Sequence, residues 1–310
     1  MKVLVVGDII LDKYIEGRVT RISPEAPVPV VSVTSERLVL GGSANVAHNL
    51  AKLEVETTII GVIGDDGNGK HIQELLTAYN INSQLIISSS LPTISKIRVI
   101  GEKQQIARID YEDGTKKISL DELNIRERLR DRRFDLIVIS DYNKNVCSTE
   151  ICKELISFAS ENNIRVLVDP KGNDWGKYSG SFIITPNHKE LQEVSNSVFG
   201  NLDSDIEKFG GIVKERYQIS NLIVTRSERG ITLFDGNNVK HFPTKAREVF
   251  DVSGAGDTVI AVLAKYIADG VNLEDAIKFA NIAAGYVISK MGTYAISKDE
   301  LDQLFLDNGE

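Results

Sequence analysis

A regular alternation of short apolar runs and helix-like segments restricts the fold of this 310-residue chain more than any other feature. The runs at residues 3–8, 136–140 and 165–170 consist mostly of Val, Ile and Leu, which suits strands buried on both faces. Segments with helical character follow them, among them residues 148–163 and 254–269. Strands that alternate with helices predict an α/β fold, with a doubly wound, mostly parallel sheet flanked by helices.

Two stretches interrupt this alternation, at about residues 11–38 and 92–112. The first contains a proline-rich run, and residues 28–33 within it favour an edge strand because proline has no N–H to donate to a neighbour. The second contains residues 95–110, whose pattern favours a β-hairpin with charged faces. We expect both stretches to form a small β-rich lid on a single domain of residues 1–310.

Composition excludes several classes of function. The net charge is −8 and no long basic run occurs, so we expect no nucleic-acid partner. No apolar stretch approaches the roughly 20 residues of a membrane span, and Asp8 ends the first apolar run too early for a signal peptide. Cys147 and Cys152 are typical of reduced thiols. We therefore expect a cytoplasmic protein without membrane contact.

A strand-to-helix segment at residues 64–71, GDDGNGKH, has the glycine and lysine spacing of a phosphate-binding P-loop. His71 stands where that motif needs Ser or Thr, and Asp65 and Asp66 place negative charge where phosphates would lie. We interpret the segment as a surface strand-to-helix turn rich in Gly, Asp and Asn. Elsewhere in the chain, Ser43 follows a glycine pair and is a predicted helix N-cap.

The segment that carries chemistry is DVSGAGDTV, beginning at Asp251. Gly254 and Gly256 allow a tight turn with exposed N–H groups, and the helix that starts there directs its dipole to the same point. Negative charge on a transferred phosphoryl group would be stabilised at this point. Asp257 lies in the first turn, where a carboxylate can accept the proton of a sugar hydroxyl or can simply stabilise the helix.

The segment DVSGAGD resembles the C-terminal signature of the ribokinase-like (PfkB) carbohydrate kinases. The resemblance implies ATP and Mg²⁺ as cofactors, Asp257 as catalytic base, and an anion hole formed by Gly254, Ala255 and Gly256. Further matches follow in the family's order along almost the whole chain. For the nucleotide they imply contacts from Asn187, His188, Lys189, Glu190, Thr225, Ser227, Gly230 and Asn281. For the sugar they imply contacts from Asp12, Gly41, Gly42 and Asn45.

Two sets of metal contacts are implied by the same resemblance. Asn187 and Glu190 match the family motif that organises Mg²⁺, and residues three apart face one side of a helical turn. A capping box at the start of a helix is the alternative interpretation of that pair. Asp251 matches a monovalent-cation site, which makes K⁺ a possible further cofactor.

Seven longer phrases resemble the D-glycero-β-D-manno-heptose 7-phosphate kinases, a branch of the family; they are residues 21–31, 41–51, 104–112, 140–144, 168–172, 185–190 and 243–259. This resemblance implies phosphorylation of the anomeric hydroxyl to give the 1,7-bisphosphate, an early step towards ADP-heptose for lipopolysaccharide or another surface glycan. In many organisms this kinase is fused to a nucleotidyltransferase, and we expect the present chain to be a stand-alone kinase. Phe250 and Ser253 replace Tyr and Thr of the usual phrase, both conservatively.

A phosphorylated sugar needs cations around its phosphate. The candidates are Arg21, Lys96, Arg98, Arg108 and Lys171, of which Arg108 and Lys171 are favoured because they lie inside the narrower phrases. Two alternatives stay open: another phosphosugar or nucleoside kinase, and a catalytically silent sugar-binding regulator. Because exposed lid strands need covering, we also expect a homodimer formed through the lid.

Overall fold

The structure is a computed structural model that describes residues 1–102, 104–112, 118–130, 133–244, 249–290 and 292–307. Residues 245–248, part of the phrase at 243–259, lie outside the described residues, as do the last three residues of the predicted domain. The strands are β1 (Lys2–Gly7), β2 (Ile9–Ile22), β3 (Pro29–Gly42), β4 (Glu56–Gly64), β5 (Asn82–Ser88), β6 (Ser95–Gly101), β7 (Gln104–Tyr111), β8 (Leu136–Ser140), β9 (Arg165–Asp169), β10 (Ile183–Ile184), β11 (Asn221–Thr225), β12 (Ile231–Asp235) and β13 (Asn238–Phe242).

The helices complete the two outer layers. In chain order they are α1 (Ser43–Lys52), α2 (Gly67–Ala78), α3 (Leu120–Leu123), α4 (Ile125–Leu129), α5 (Thr149–Glu161), α6 (His188–Ser195), α7 (Asp203–Arg216), α8 (Ala255–Ala268), α9 (Leu273–Val287) and α10 (Lys298–Asp307). Among the residues that the structure describes, no helix is long and apolar enough to span a bilayer.

A nine-stranded sheet forms the centre of the fold, in the order β13-β12-β11-β10-β9-β8-β1-β4-β5. Its strands pair in parallel except for β12, which runs antiparallel to both of its neighbours. Successive side chains of β1 lie on opposite faces of the sheet and belong to two separate hydrophobic cores. Val3 and Val5 belong to the core that contains α1, α8 and α9, whereas Leu4 and Val6 belong to the core that contains α5, α6 and α7. The predicted doubly wound α/β fold is therefore confirmed.

The two β-rich stretches pair with each other in a second sheet of four strands, in the order β3-β2-β6-β7. The proline-rich run enters β3, an edge strand, and β6 and β7 form the predicted antiparallel hairpin. β2 follows β1 after Asp8 alone, so the small sheet continues directly from the centre of the large one. This continuity places one face of the small sheet beside the carboxyl ends of the central strands.

Two helix starts differ in how well they were predicted. Ser43 as the N-cap of α1 is wrong: Gly42, with φ of 58°, precedes the helix, and Ser43 is its first residue. At the start of α2, Asp66 accepts hydrogen bonds from the backbone N–H groups of Gly69 and Thr93, both at 2.8 Å. A carboxylate thus occupies the place where a P-loop would bind phosphate, in agreement with the surface-turn interpretation.

Candidate active site

A cavity of about 200 Å³ opens at the carboxyl ends of β8 to β11, beside the first turns of α6 and α8. Open α/β sheets bind their ligands at this edge. Residues predicted from distant parts of the sequence line the cavity together; they are Lys171, Asn187, Glu190, Thr225, Gly254, Gly256 and Asp257.

The carboxyl group of Asp257 lies in the first turn of α8 and is only 4% exposed. Asn45 of α1 donates its side-chain N–H to Oδ2 at 2.7 Å, and the phenol of Tyr142 donates to Oδ1 at 2.5 Å. Burial raises the pKa of Asp257 to about 6, against the lowering effect of these two hydrogen bonds. The group is therefore ionised at neutral pH yet basic enough to accept a proton.

Gly254 shapes the turn in front of this carboxylate. Its φ of 79° lies in the left-handed region that disfavours side chains. A Cβ here would come within 2.9 Å of both Asn45 Nδ2 and the methyl group of Thr293. A Cβ at Gly256 would meet nothing within 4 Å, so the first turn of α8 faces the open cavity. The dipole of that turn is available to an anion, whereas the N–H of Ala255 donates to the carbonyl of Val252 at 3.3 Å.

The start of α6 forms a second wall. Asn187 caps the helix and forms a complete capping box with Glu190, with both hydrogen bonds at 2.9 Å. The other carboxylate oxygen of Glu190 accepts a hydrogen bond from Lys171 Nζ at 2.8 Å. The ring of His188 packs on Phe199, and the amine of Lys189, 83% exposed, is 4.0 Å from Glu193. Of this motif, Asn187 and Glu190 reach the cavity.

The other predicted nucleotide residues lie on neighbouring elements. Thr225 ends β11, and its N–H donates to the carbonyl of Pro186, which joins β11 to the segment that leads into α6. Ser227 and Gly230 bound the turn before β12. The amide of Asn281 in α9 donates to the carbonyl of Pro243 at 2.9 Å. Asn281 therefore braces the end of β13, just before residues 245–248.

Asp251 links two loops near the start of α8. Its Oδ1 accepts the N–H of Ser253 at 2.9 Å, and its Oδ2 accepts the N–H of Gly292 at 3.1 Å. Carboxylate lone pairs remain beyond these two bonds, which is the donor chemistry that a monovalent cation requires.

Charged side chains lie on one face of the small sheet, the face to which Asp12 belongs. Arg98 on β6 donates to Asp12 Oδ1 at 2.5 Å, and Arg108 forms a two-point hydrogen bond with Asp110 on its own strand. Strand register aligns Tyr14, Arg98 and Arg108 in one row and Asp12, Lys96 and Asp110 in the next. These side chains share a face because strand residues two apart point the same way.

The predicted sugar residues meet where β2, β3 and α1 join. A Cβ at Gly41 would approach Asp12 Oδ2 to 2.4 Å, so only glycine at this position avoids a steric clash with the carboxylate. The adjoining Gly42 turns the chain into α1, which carries Asn45 to Asp257. The two favoured phosphate cations are separated: Arg108 lies on the small sheet, whereas Lys171 binds Glu190 among the predicted nucleotide residues.

Two further residues of the site were not predicted. Tyr142 contacts Asp257 although 115 positions separate them in sequence, and only its place in the phrase at 140–144 pointed to it. Asp169 lines the same cavity. Burial, followed by the charges of Glu190 and Asp257, raises the pKa of Asp169 well above its ordinary value. Its position directly at the carboxyl end of β9 was the available signal.

Comparison with known proteins identifies relatives over nearly the whole chain. A family model described as pfkB family carbohydrate kinase matches residues 1–300. The bifunctional protein HldE of Sulfurimonas denitrificans is 41% identical over 306 residues, covering 97% of this chain and 64% of that protein. Its namesake in Methylobacillus flagellatus is 43% identical over 305 residues, covering 97% and 62%. The chain thus spans less than two thirds of the length of these relatives.

Solved structures share the fold. Phosphofructokinase-2 from Escherichia coli, in complex with substrates and products, superposes with a TM-score of 0.83 at 20% identity and covers 100% of both chains. Ribokinase from Thermotoga maritima has a TM-score of 0.78 at 22% identity and covers 98% of this chain and 99% of that one. These similarities confirm the predicted ribokinase-like architecture.

Proposed function

Because the chain belongs to the pfkB family of carbohydrate kinases, we propose that it transfers the γ-phosphate of ATP to the anomeric hydroxyl of D-glycero-β-D-manno-heptose 7-phosphate. The observation that carries this proposal is the buried carboxylate of Asp257, which lines the cavity from the first turn of α8 and interacts electrostatically with Asp12 and Lys96 of the small sheet. The product is the 1,7-bisphosphate, a precursor of ADP-heptose for lipopolysaccharide or another surface glycan.

Proton transfer is the task of Asp257. The sugar hydroxyl gives its proton to the carboxylate as its oxygen attacks the γ-phosphorus and the bond to ADP breaks. An anomeric hydroxyl is more acidic than other sugar hydroxyls, so a single carboxylate suffices as base. Asn45 donates to Oδ2 at 2.7 Å and restricts the orientation of the carboxylate. Asp12, at the start of the small sheet, is positioned to accept hydrogen bonds from the sugar.

Charge on the transferred phosphoryl group meets the first turn of α8. The N–H groups at Gly254 and Gly256 and the helix dipole stabilise negative charge there. The N–H of Ala255, the third residue of the implied anion hole, donates to the carbonyl of Val252 at 3.3 Å and would have to turn to the phosphoryl group. Thr225, Ser227 and Gly230 flank the nucleotide phosphates in this proposal, and Lys171 adds a positive charge beside Glu190. Asn281 borders the adenine.

The acidic lining of the cavity fits a divalent cation. Asp141, Asp169, Glu190 and Asp257 all line it, with Lys171 as the one cation among its described lining residues. Lys177 and Lys171 already pair with Asp141 and Glu190. The two remaining carboxyl groups, Asp169 and Asp257, would repel a nucleoside triphosphate where they are ionised, unless positive charge is added. Asp169, Glu190 and Asn187 would hold Mg²⁺, which neutralises phosphate charge when bound. Asp251 is the proposed ligand of a monovalent cation such as K⁺.

The row of basic side chains on the small sheet supports a phosphorylated sugar. Arg98 and Arg108 lie opposite each other in register, with Lys96 in the adjacent row on the same face. Guanidinium groups bind phosphate oxygens at two points, which gives both affinity and orientation. We therefore assign the 7-phosphate to Arg108 and its neighbours on this face, whereas Lys171 serves the nucleotide.

The decisive experiment measures ATP consumption by the purified chain with Mg²⁺ and four acceptors: heptose 7-phosphate, unphosphorylated heptose, fructose 6-phosphate and ribose. We expect a strong preference for heptose 7-phosphate, with ³¹P NMR locating the new phosphate on carbon 1. Preference for another sugar would refute the heptose assignment while leaving the base assignment intact. No turnover with any acceptor would favour a silent sugar-binding protein.

A further inference from the structure

The loop of residues 141–147, between β8 and α5, reaches from the large sheet to the catalytic carboxylate. Tyr142 on this loop donates its phenol hydrogen to Asp257 Oδ1 at 2.5 Å. Asn45 holds the opposite oxygen at 2.7 Å, so each oxygen of Asp257 has one fixed donor. Burial raises the pKa of the Tyr142 phenol well above its ordinary value, which keeps it protonated and able to donate.

A second buried carboxylate, that of Asp8, holds the 141–147 loop on the side of the large sheet. Asp8, fully buried at the end of β1, accepts three backbone hydrogen bonds from the loop: from Tyr142 at 2.9 Å and from Lys144 and Val146 at 3.0 Å. Three N–H donors on one carboxylate hold the loop backbone in a single position. Burial and the charge of Asp141 raise the pKa of Asp8 to about 6, so this anchor is ionised at neutral pH and titrates in the same range as Asp257. The phenol of Tyr142 therefore meets Asp257 in a defined geometry before any substrate binds.

The same loop also contacts the small sheet on its other side. The amine of Lys96 lies 5.9 Å from the centre of the Tyr142 ring, and Lys144 forms an ion pair with Glu112 at 2.8 Å. Both partners belong to the hairpin side of the small sheet. Tyr142 is thus enclosed between the two sheets and directed at the base.

We propose that Tyr142 is a positioning residue for catalysis: its phenol keeps Asp257 ionised and orients one carboxylate oxygen, so that the other lone pairs receive the substrate proton. This inference rests on the role proposed above for Asp257. Tyr142 keeps its own proton throughout, because the substrate hydroxyl supplies the one proton that Asp257 accepts.

Several charged groups face Asp257 from other elements and act through space. Asp12 on β2 raises the pKa of Asp257, and Lys96 on β6 lowers it. The carboxyl group of Asp169, at the end of β9, interacts electrostatically with Asp257 as well. Tyr142 and Asn45 differ from these groups because they touch the carboxylate directly. Removing the phenol hydroxyl should therefore shift the pKa of Asp257 without removing any charged group from the site.

The test is the pH profile of Tyr142→Phe. We expect the acidic limb of kcat/KM to move upward by about one pH unit, the effect of losing one hydrogen bond to a charged group. Activity then falls about fivefold at pH 6 but less than about twofold at pH 8 from ionisation alone. Tyr294→Phe is the matched control, because its phenol donates to the carboxylate of Glu300 at 2.6 Å. The control should leave the limb unchanged.

A second variant retains the phenol and keeps the proposal testable if Tyr142→Phe fails to fold. Replacing Tyr142 by 3-fluorotyrosine makes the phenol a stronger donor, so the acidic limb should move to lower pH. An infrared titration of the Asp257 carboxyl, identified by its loss in Asp257→Asn, reports the same pKa without turnover. This readout separates the present inference from the heptose assignment. A pKa of Asp257 that stays unchanged in either variant would overturn the role of Tyr142.

Discussion

Asp257 combines burial with two direct hydrogen bonds, and its position at the start of α8 gives it access to both proposed substrates. Replacing it in Asp257→Asn should lower kcat by a factor of about 10² to 10⁴, the usual contribution of a general base. The Kd for ATP should stay close to that of the wild type, because the amide preserves the shape of the cavity. Turnover assays and calorimetry measure the two quantities.

The matched control for that variant lies at the opposite end of the same helix. Asp269 follows the last residue of α8 and pairs with Lys265 on the outer surface. Asp269→Asn should keep wild-type kcat, because the carboxylate is remote from the cavity. Near-normal turnover in Asp257→Asn would refute the base assignment.

The pKa of Asp257 predicts how the rate depends on pH. Burial raises it from an ordinary value of 3.8 to about 6. Only the ionised carboxylate accepts a proton, so kcat/KM should be constant above about pH 7 and fall as pH drops through about 6. A steady-state profile from pH 5 to 9 measures the limb. A limb near pH 4 would mean that the base is a solvated carboxylate elsewhere.

Individual residues were predictable where a local motif defines their role. Asp257, Gly254 and Glu190 belong to short segments whose chemistry can be interpreted without knowledge of the fold. Tyr142 belongs to no such segment: its role depends on a loop position fixed by Asp8, 134 residues earlier in the chain. Ser43 shows the opposite failure, because Gly42 already provides the turn that a side-chain cap would otherwise stabilise.

At the scale of elements, the small sheet is the part of the fold that should decide sugar specificity. Arg108 on β7 is half-exposed and faces Asp110. Arg108→Ala removes a cation and leaves Asp110 without that partner, so phosphate binding weakens for two reasons. We expect KM for the phosphosugar to rise by about ten- to a hundredfold, with KM for ATP unchanged.

Arg165→Ala controls for the loss of an arginine. Arg165 stacks on Phe182 at the amino end of β9, the edge of the sheet opposite the cavity. Its removal should leave both KM values unchanged. Activity on an unphosphorylated heptose provides a second check, because Arg108→Ala should not weaken it. An equal loss on both sugars would assign Arg108 to the sugar ring or to folding.

Elements were predictable in proportion to their apolar pattern. The buried strands β1, β8 and β9 show continuous apolar runs, and β6 and β7 show the alternation of a hairpin. Residues 82–88 and 238–242 carried no strand prediction, yet they form β5 and β13 at the two edges of the large sheet. Edge strands are half solvated and depend on their neighbour for pairing, so their sequences need no strong pattern.

At the scale of the whole molecule, the site depends on two sheets that are joined where β1 of the large sheet leads directly into β2 of the small sheet. Asp8 separates β1 from β2 and binds the 141–147 loop, so the large sheet, the small sheet and the loop carrying Tyr142 meet at one buried carboxylate. The sequence predicted both sheets but not this junction, because it is a property of how distant segments pack. Two statements remain predictions: that the small sheet acts as a lid, and that residues 1–310 form a single domain.

The outer face of the small sheet leads to a prediction about assembly. Side chains alternate along β7, so Ile109 lies opposite to Arg108 and Asp110, away from the site. It is 46% exposed and stands in register with Ile97 on β6. Exposed apolar side chains on a sheet face favour association with a second copy. We therefore expect a homodimer formed through the lid.

Sedimentation measures this directly. The wild-type chain should sediment at twice its mass of 34.2 kDa at micromolar concentration. Ile109→Glu should sediment as a monomer, because a charge buried at an apolar interface is strongly unfavourable. Val198→Glu is the control: Val198 is 98% exposed in the loop after α6, and the same change there should leave the dimer intact. A monomeric wild type would refute association, whereas a dimeric Ile109→Glu would place the interface on another surface of the molecule.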